Sequence, residues 1–482
     1  MYTLTVARLL GIDVGTSGSK VLVIDETGQV LKEAEVAYPL MTPQPGWAEQ
    51  DPEDWWRAVQ QCLGSLDLDV DAIGITGQMH GSVFLDESGN VVRPALLWCD
   101  QRTLAETAEI EDRVGHSRIR DITYNPPLTG FQAPKALWLR NNEPENYAKV
   151  QKLLLPKDFI AWKLTGSFST DVSDASGTGF LDVKTRQWSA DVVSELGVPS
   201  EWLPPVFESD QIVGRTESGI PVVAGAGDQA AGAVGVGAVT SEVVSLSLGT
   251  SGVAFKSTDR PKPNQTGAVH VFCHANRSWH NMGVMLSCGG ALRWARDVLF
   301  PDLDFDMMAE LALSVEPGAD GLVFQPTLAG ERCPVVDPLA TAAFAGLRLS
   351  HGRAHLARAV FEGVSFGMAS CLEAVLQGGV APGTLRVTGG GAKSTFWVQM
   401  IADVTQTPCV VLESDNGPAF GAALLAGVGT GVWQNIEVAS QATVRERKRF
   451  EPNDKRFANV HAKYKRLYPA LKDWAASPFA LE

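Results

Sequence analysis

Paired cysteines and excess basic charge are both missing from this sequence. Its seven cysteines are odd in number and never spaced Cys-x-x-Cys, which argues against a disulfide framework and indicates reduced thiols in a cytosol. The chain carries 40 Lys and Arg residues against 55 Asp and Glu residues, a formal net charge of −15. This balance argues against nucleic acid or an anionic membrane surface as a partner.

Long hydrophobic runs and a secretion signal are missing as well. The longest run of small apolar residues, Pro221–Val239, is rich in glycine and interrupted by Asp228, so no membrane span is expected there. Near the N-terminus a short apolar run meets Asp13 almost at once, so no signal peptide is expected. We therefore expect a soluble protein of the cytoplasm.

The length and the order of the predicted elements indicate two domains of the α/β class. A chain of 482 residues is too long for one compact core. Predicted strands and helices alternate along it, which is typical of α/β proteins. The weakest join lies in the segment Gly235–Ser241, which predicts domains of residues 1–238 and 239–482.

Local patterns predict several individual elements. A helix is expected after Asp51, with Pro52 as its first residue. Ala72–Thr76 is predicted to be a buried strand, and Ala354–Leu376 a long helix. A single charged amphipathic helix is predicted over Phe457–Trp474.

The tetrapeptide Gly-Thr-Ser-Gly occurs twice, at Gly15–Gly18 and at Gly249–Gly252, each time after a strand-like run. Each copy predicts a β-hairpin with a tight turn of small residues. Glycine lets the backbone approach a ligand closely, and Thr and Ser supply hydroxyl and N–H donors. The repeat therefore predicts two related domains whose turns face each other around a group with several negative oxygens, such as a nucleotide's phosphates.

The two copies differ at one position that bears on metal binding. Asp13 stands two residues before the first glycine, whereas Ser247 holds the equivalent place in the second copy. Asp13 fits a solvated turn residue, but its sequence neighbours are apolar, and a carboxylate is costly to desolvate there unless it meets a cation. Mg²⁺, bound directly or through water, is the expected partner.

Asp228 follows a predicted strand and a glycine-rich turn at the start of a predicted helix. The pattern Gly225-x-Gly227-x-x-Ala230 is close to a dinucleotide-binding fingerprint, but no acidic residue ends the next strand, which argues against a dehydrogenase. Asp228 fits a helix N-cap. It also fits a carboxylate that accepts a proton from a substrate hydroxyl during phosphoryl transfer. Both roles remain open from the residues alone.

The glycine run Gly389–Gly391 lies between a predicted strand and a predicted helix. Free N–H groups at that helix start would suit a nucleotide, although the chain has no Walker P-loop and a tight structural turn fits equally well. The histidines of His270–His274, with His280 beyond, are predicted to be structural rather than zinc ligands, because an extended strand would separate them.

Taken together, the motifs resemble the FGGY carbohydrate kinases of the actin-like ATPase superfamily. The resemblance covers almost the whole chain and rests on Gly11–Lys20, Trp47–Trp56, Gly77–Gly81, Leu155–Phe159, Gly227–Gly237, Leu246–Gly252, His270–His274 and Leu356–Gly363. Gly-Gln-Met-His-Gly at Gly77–Gly81 is the most discriminating motif, because it separates the members that act on xylulose from glycerol kinases. The resemblance implies an α/β fold of two actin-like (ribonuclease H-like) domains, with ATP and Mg²⁺ bound in the cleft between them.

The resemblance also implies roles for individual residues. Asp228 matches the catalytic base and Asp13 the second essential carboxylate, and both are expected near the metal ion. The expected sugar contacts are Met79, His80, Asp228 and Gln229. The expected nucleotide contacts are Thr16, Ser17, Gly249, Thr250, Gly390, Gly391, Ala392 and Asn416.

The reaction implied by the resemblance is the ATP-dependent phosphorylation of D-xylulose at its terminal hydroxyl, and a homodimer would be common in such a family. Gln229 and Cys99 stand where asparagine is common in the relatives that the chain resembles, so both departures bear on which ketose is bound. A kinase for another ketose or polyol, such as ribulose, remains an alternative. A non-catalytic actin-like sugar sensor is disfavoured, because both aspartates are present and no basic helix-turn-helix precedes Gly11.

Overall fold

Two seven-stranded sheets organise the part of the chain that the structure describes, residues 7–413 and 417–476 of a computed structural model. The strands up to residue 227 are β1 (Leu9–Val14), β2 (Gly18–Ile24), β3 (Val30–Ala37), β4 (Glu49–Gln50), β5 (Ala72–Gly77), β6 (Val83–Leu85), β7 (Ala95–Leu96), β8 (Lys152–Leu154), β9 (Thr170–Asp171), β10 (Leu181–Asp182), β11 (Gln187–Trp188), β12 (Val206–Phe207), β13 (Ile212–Arg215), β14 (Pro221–Val223) and β15 (Ala226–Gly227). The helices of this half are α1 (Pro52–Leu66), α2 (Leu104–Val114), α3 (His116–Thr123), α4 (Gln132–Asn142), α5 (Pro144–Tyr147), α6 (Pro156–Thr165), α7 (Val172–Ala175), α8 (Ala190–Leu196) and α9 (Asp228–Gly235).

The second half contributes the other large sheet and its helices. Its strands are β16 (Val243–Leu248), β17 (Gly252–Thr258), β18 (Val269–Cys273), β19 (Trp279–Met285), β20 (Val323–Gln325), β21 (Ala343–Ala345), β22 (Thr384–Thr388), β23 (Cys409–Leu412) and β24 (Glu446–Phe450). Its helices are α10 (Gly289–Leu299), α11 (Phe305–Leu313), α12 (Arg353–Leu376), α13 (Thr395–Thr405), α14 (Gly417–Gly429), α15 (Ile436–Thr443), α16 (Phe457–Tyr464) and α17 (Leu467–Ala476). Short 3₁₀ helices span Ser200–Trp202, Ala319–Gly321 and Gly390–Lys393.

The central strands of the two sheets follow the same order. The first sheet runs β3-β2-β1-β5-β14 and the second runs β19-β17-β16-β22-β23. The pairs β1–β2 and β16–β17 are antiparallel hairpins, whereas β1–β5 and β16–β22 are parallel. The two hairpins predicted from the repeated tetrapeptide are confirmed, and the shared order shows that the two halves are structurally related.

Helices and sheets alternate in layers. Trp55 of α1 and Phe159 of α6 pack on one face of the first sheet, and α9 and α14 pack on the other. Ala233 of α9 also packs beside Phe255 and Val410 of the second sheet. Helices α10, α12 and α13 cover the remaining face of that sheet. Helix α9, which begins with Asp228, therefore lies between the two sheets.

Helix α14 belongs to the second half by sequence but packs on the first sheet. Glycines make this close approach possible: a Cβ at Gly11 would overlap the carbonyl oxygen of Ala419, and a Cβ at Gly74 would overlap that of Ala422. A Cβ at Gly421 would likewise overlap the carbonyl oxygen of Ala231 in α9. Strand β1, helix α9 and helix α14 are thereby joined through backbone contacts that no larger residue allows.

Most predicted elements are found, with one correction. The helix after Asp51 begins at Pro52, and the predicted strand is β5. The single helix predicted over Phe457–Trp474 is wrong, because α16 and α17 are separate. Pro469 explains the break, since in a continuous helix its ring would clash with the carbonyl of Lys465.

Two further predictions concern the domains and the membrane. The predicted boundary between residues 238 and 239 falls in the connection between α9 and β16, and the division itself stays a prediction. Among the described residues, one helix, α12, is long and apolar enough to cross a membrane. Its most apolar window is 83% buried inside the protein, as expected for a core helix.

Candidate active site

Asp13 and Asp228 lie at the carboxyl ends of two strands that flank β5. Strands β1 and β15 both pair in parallel with β5, so Thr76 lies between Asp13 on one side and Ala226 on the other. Asp228 follows β15 directly as the first residue of α9. The edge of an α/β sheet beyond its strand ends is where such folds bind ligands.

Asp13 is a half-buried carboxylate without a neutralising partner. Burial and then the negative charge of Asp228 raise the pKa of Asp13 to about 7, although Lys20 acts in the opposite direction. Its Oδ1 atom is buried and has no hydrogen-bond partner among the described residues. Carboxylate oxygens in this setting are the hard ligands that Mg²⁺ prefers, so the residues present fit that ion.

Asp228 has the properties of a base rather than of a helix cap. Gly227 holds the N-cap position of α9 and no side chain caps the helix, so the N-cap interpretation of Asp228 is wrong. Burial raises the pKa of Asp228 to about 6, and hydrogen bonds from Gln229 limit the rise. Such a carboxylate is ionised at neutral pH yet more basic than an ordinary aspartate.

A buried ionic network lies beneath Asp228. The Nζ atom of Lys157 lies 2.6 Å from Asp158 and 3.0 Å from Asp171. Ser173 accepts a hydrogen bond from the Gly227 N–H at 3.1 Å and donates one to Asp171, which fixes the residue before the base. Both carboxylate oxygens of Asp174 are buried without a partner in the part of the chain described, and burial raises its pKa well above the usual value.

Met79 and His80 follow β5 and face the same end of the sheet. The Nδ1 atom of His80 lies 2.7 Å from the carbonyl oxygen of Gly177, so Nδ1 carries the proton. Burial, together with nearby positive charge from Lys135 and Arg332, lowers the pKa of His80 to about 3. A neutral ring that donates from Nδ1 leaves Nε2 as an acceptor for a hydroxyl group.

Side chains outside the Gly15–Gly18 motif form the hydrogen bonds that fix the first turn. The Thr16 hydroxyl accepts from the Trp98 indole at 3.0 Å and donates to Gln78 at 3.3 Å. The Gln50 side chain donates to the Thr16 carbonyl at 2.7 Å. Ser17, the other predicted nucleotide contact in this turn, is exposed.

The second turn is built by backbone hydrogen bonds. The Gly249 carbonyl accepts from the Gly289 N–H at 2.8 Å, and the Thr250 carbonyl accepts from Gly290 at 2.9 Å. A Cβ at Gly389 would lie 3.1 Å from the Leu248 carbonyl, so the two glycine turns are adjacent.

The third predicted glycine segment differs from expectation. Gly390, Gly391 and Ala392 form a 3₁₀ turn, and α13 begins only at Thr395 with Ser394 as its N-cap. The prediction that this glycine run opens the helix is therefore wrong, although the turn lies beside Leu248. Asn416 lies outside the described residues.

The histidines near His270 pack against aromatic rings. His270 stacks on Phe272 with ring centroids 5.6 Å apart, and His280 stacks on Phe255 at 4.1 Å. Burial lowers the pKa of His270 and of His274 to about 3. The described ranges contain no group of three or more His, Cys, Asp or Glu side chains arranged to hold a metal ion.

Comparison with known protein families identifies the family to which this site belongs. Residues 8–235 match the N-terminal domain of the FGGY family of carbohydrate kinases, and residues 244–430 match its C-terminal domain. The chain belongs to this family. FGGY kinases use ATP as co-substrate and carry two actin-like domains, so the predicted fold class is confirmed.

Individual relatives match the chain over nearly its full length. The xylulose kinase of Escherichia coli (strain K12) is 39% identical over 482 residues, covering 96% of this chain and 99% of that protein. The xylulose kinase of Bacillus subtilis (strain 168) is 35% identical over 486 residues, covering 96% and 97%. The crystal structure of xylulose kinase from Rhodospirillum rubrum matches with a TM-score of 0.91 at 28% identity, covering 98% of this chain and 100% of that one.

In this FGGY kinase the structure brings four of the predicted site residues to one end of the first sheet. Asp13 lies in β1, Met79 and His80 follow β5, and Asp228 follows β15. Three further residues, Lys157, Gln78 and Trp98, support them and were not predicted individually. Lys157 and Gln78 do lie within the quoted motifs Leu155–Phe159 and Gly77–Gly81, which was the only sequence signal for them.

Proposed function

We propose that this FGGY kinase transfers the γ-phosphoryl group of ATP to the terminal hydroxyl of D-xylulose, giving D-xylulose 5-phosphate and ADP. The observation that carries the site assignment is the convergence of two half-buried carboxylates, Asp13 and Asp228, beside a neutral histidine. The full-length similarity to xylulose kinases supports the choice of sugar.

Asp228 acts as the general base. Its carboxylate accepts the proton of the sugar hydroxyl as that oxygen bonds to the γ-phosphorus and the bond to the β-phosphate oxygen breaks. A pKa of about 6 keeps Asp228 ionised before the reaction and lets it retain the proton while the new bond forms. The Ser173 hydrogen bond to Gly227 holds the base in position.

His80 and Met79 hold the sugar. The Nε2 atom of His80 accepts a hydrogen bond from a sugar hydroxyl, because Nδ1 is occupied by Gly177. Met79 is buried with Phe131 and Phe272, so the sugar meets an apolar wall beside a polar acceptor. Gln229, next to the base and half-buried, is the proposed fourth contact, and Cys99 is half-buried near this region.

The glycine turns hold the nucleotide. The proposed phosphate contacts are Thr16 and Ser17 of the first turn, Gly249 and Thr250 of the second, and Gly390, Gly391 and Ala392 of the 3₁₀ turn. Asn416, outside the described residues, stays a predicted nucleotide contact. Asp13 and Asp228 are the proposed Mg²⁺ ligands, and the bound ion would neutralise charge on the phosphates. A homodimer and a cytoplasmic location stay predictions.

ADP release by the purified protein with MgATP tests the proposal against D-xylulose, D-ribulose, L-ribulose, L-xylulose and glycerol. We expect the highest kcat/KM with D-xylulose. Asp228→Asn is expected to lower kcat by roughly 10²–10⁴-fold, the usual contribution of a general base. Asp259→Asn, at an exposed position, is the matched control and should keep the activity.

The results of these assays distinguish a D-xylulose kinase from a kinase for another sugar and from a sugar sensor. A higher kcat/KM with another ketose or with a polyol would keep the chemistry and reject D-xylulose. An absence of sugar-dependent ADP release would reject the kinase and favour the sensor. Full activity of Asp228→Asn would reject the assignment of the base.

A further inference from the structure

Lys135 of α4 is a fully buried lysine whose amino group meets carbonyl oxygens instead of a carboxylate. Its Nζ atom donates to the His80 carbonyl at 2.8 Å and to the Gly130 carbonyl at 2.6 Å. Burial lowers the pKa of Lys135 to about 7, although the charge of Asp100 opposes this. The Asp100 carboxylate is itself paired with Arg102 at 2.7 Å, and within residues 7–413 and 417–476 Lys135 forms no ion pair. A buried cation without such a partner is unfavourable.

The carbonyl group that Lys135 holds belongs to a residue with an unfavourable backbone. His80 has a φ of 66°, in the left-handed region that residues with a Cβ rarely adopt. Such conformations persist only where the surrounding structure fixes them, and they cluster at functional sites. Two unfavourable features, the buried amino group and the left-handed backbone, therefore meet at the residue that is proposed to contact the sugar.

Other residues at the start of α4 hold the same loop. The Gln132 side chain donates to the Gly81 carbonyl at 3.2 Å and to the Leu154 carbonyl at 3.1 Å. Phe131, the N-cap residue of α4, places its ring centroid 4.8 Å from that of His80. The start of α4 thus contacts both the ring of His80 and the backbone of its loop.

The second carbonyl bound by Lys135 lies against the loop that contains Cys99. A Cβ at Gly130 would lie 2.4 Å from the carbonyl oxygen of Trp98, the residue before Cys99, so the two backbone segments are in direct contact. An amino group keeps at least two N–H donors in either protonation state, so Lys135 can hold both carbonyls when it is charged and when it is neutral. Lys135 therefore connects the His80 loop to the segment that supports the Trp98–Cys99 loop.

Resting on the proposed function, we infer that Lys135 is a positioning residue that fixes the His80 backbone and thereby the contact of His80 with the sugar. Lys135 acts through His80 and takes no part in the proton transfer at Asp228. Its effect is on sugar binding rather than on nucleotide binding, because both carbonyls that it holds lie on the sugar side of the proposed site.

Steady-state kinetics of Lys135→Met, with each substrate varied in turn, test this role. Methionine is unbranched like lysine and has no donor. We expect kcat/KM for D-xylulose to fall about tenfold or more through KM, because a small displacement of a positioning group is costly, with kcat and the KM for MgATP nearly unchanged. Lys135→Gln keeps an amide donor and should lose less. Lys256→Met is the matched control, since Lys256 is also buried and donates to the Val380 carbonyl at 2.9 Å in the second half.

A double-mutant cycle with His80→Ala separates positioning from a general loss of structure. If Lys135 acts through His80, Lys135→Met should lower kcat/KM for D-xylulose by less than about twofold in the His80→Ala background, because the effects of coupled residues are not additive. If Lys135→Met does not fold, Lys135→Gln takes its place in the cycle. Thermal unfolding of each variant beside Lys256→Met shows which of them fold.

The results distinguish a failure of this inference from a failure of the proposed function. Unchanged kcat/KM in Lys135→Met, an equal rise in the KM for MgATP, or an undiminished loss in the His80→Ala background would overturn the inference and leave the proposed function intact. A wild type that releases no ADP with D-xylulose would instead reject the proposed function and the inference with it.

Discussion

The Nδ1 atom of His80 and the carbonyl oxygen of Gly177 lie 2.7 Å apart, and the backbone at Gly177 leaves room for no side chain. A Cβ at this position would overlap the Cε1 and Nδ1 atoms of the His80 ring. The histidine therefore has a fixed orientation and tautomer, which leaves Nε2 to meet the sugar. Gly177, in the loop after α7, thus determines the orientation of the His80 ring, in the loop after β5.

Gly177→Ala should move the His80 ring and weaken sugar binding. We expect the KM for D-xylulose to rise about tenfold or more, because misplacing a positioning group by about 1 Å can cost as much as 10²-fold. The KM for ATP should change little. Steady-state kinetics with each substrate varied in turn checks this, and Gly64→Ala is the control, since a Cβ there meets nothing within 4 Å. An unchanged KM for the sugar would contradict the role of the His80–Gly177 bond.

Activity should fall on the acid side of neutrality. Asp228 must be ionised to act as a base, and its pKa is about 6, while that of Asp13 is about 7. As the pH falls through these values both carboxylates gain protons, so kcat/KM decreases. Higher Mg²⁺ should move the decrease to lower pH, because a cation favours ionised Asp13. A pH profile at two Mg²⁺ concentrations measures this, and a constant kcat/KM through both pKa values would disagree.

Removing the positive charge of Lys157 from the buried ionic network should destabilise the first half of the chain. Lys157→Met leaves Asp158 and Asp171 buried without their partner, and loss of one member of a buried ion pair costs about 3–5 kcal/mol of unfolding free energy. Thermal unfolding at neutral pH should show a clearly lower Tm. An unchanged Tm would mean that water or another cation replaces Lys157.

Asp174→Asn should instead raise the Tm at neutral pH. Burial, with the charges of Asp158 and Asp171, raises the pKa of Asp174 well above the value of an exposed carboxyl. Its contribution to folding therefore becomes less favourable as the pH rises from the ordinary carboxyl pKa toward the raised one. The asparagine variant lacks this titration, so its Tm should exceed that of the wild type at neutral pH and differ least in acid. A lower Tm at neutral pH would show that ionised Asp174 is required.

Gly11→Ala should separate α14 from β1. The added Cβ would overlap the carbonyl oxygen of Ala419, and overpacking of this kind costs about 1–3 kcal/mol or more. Because β1 carries Asp13, kcat should fall along with the Tm. Circular dichroism melts and initial rates beside the Gly64→Ala control measure both effects. A variant with wild-type Tm and kcat would contradict the tight packing.

The sequence predicted those parts of the site that depend on local order along the chain. Asp13 and Asp228 were predicted because each follows a strand-like run, and parallel strands end at one edge of a sheet. The two hairpins were predicted because small residues between apolar runs specify a tight turn. These features depend on neighbours in sequence.

Features set by distant segments could not be predicted. Lys157 stands beside Asp158 and looks like a solvent-exposed pair in the sequence, and only the fold adds Asp171. The N-cap at Gly227 depends on the path of the backbone, which the residue type there only partly restricts, whereas the break before Pro469 had a sequence signal in the proline itself.

The packing of α14 on the first sheet also bears on how the protein is made. During synthesis β1, β5 and α9 leave the ribosome long before the residues of α14 are translated. Until then the glycine-lined face of the first sheet, whose strands all belong to the first half, lacks the helix α14 that covers it. We therefore expect the nascent first half to complete its packing only once α14 is available, and its exposed apolar face to be a target for chaperones until then.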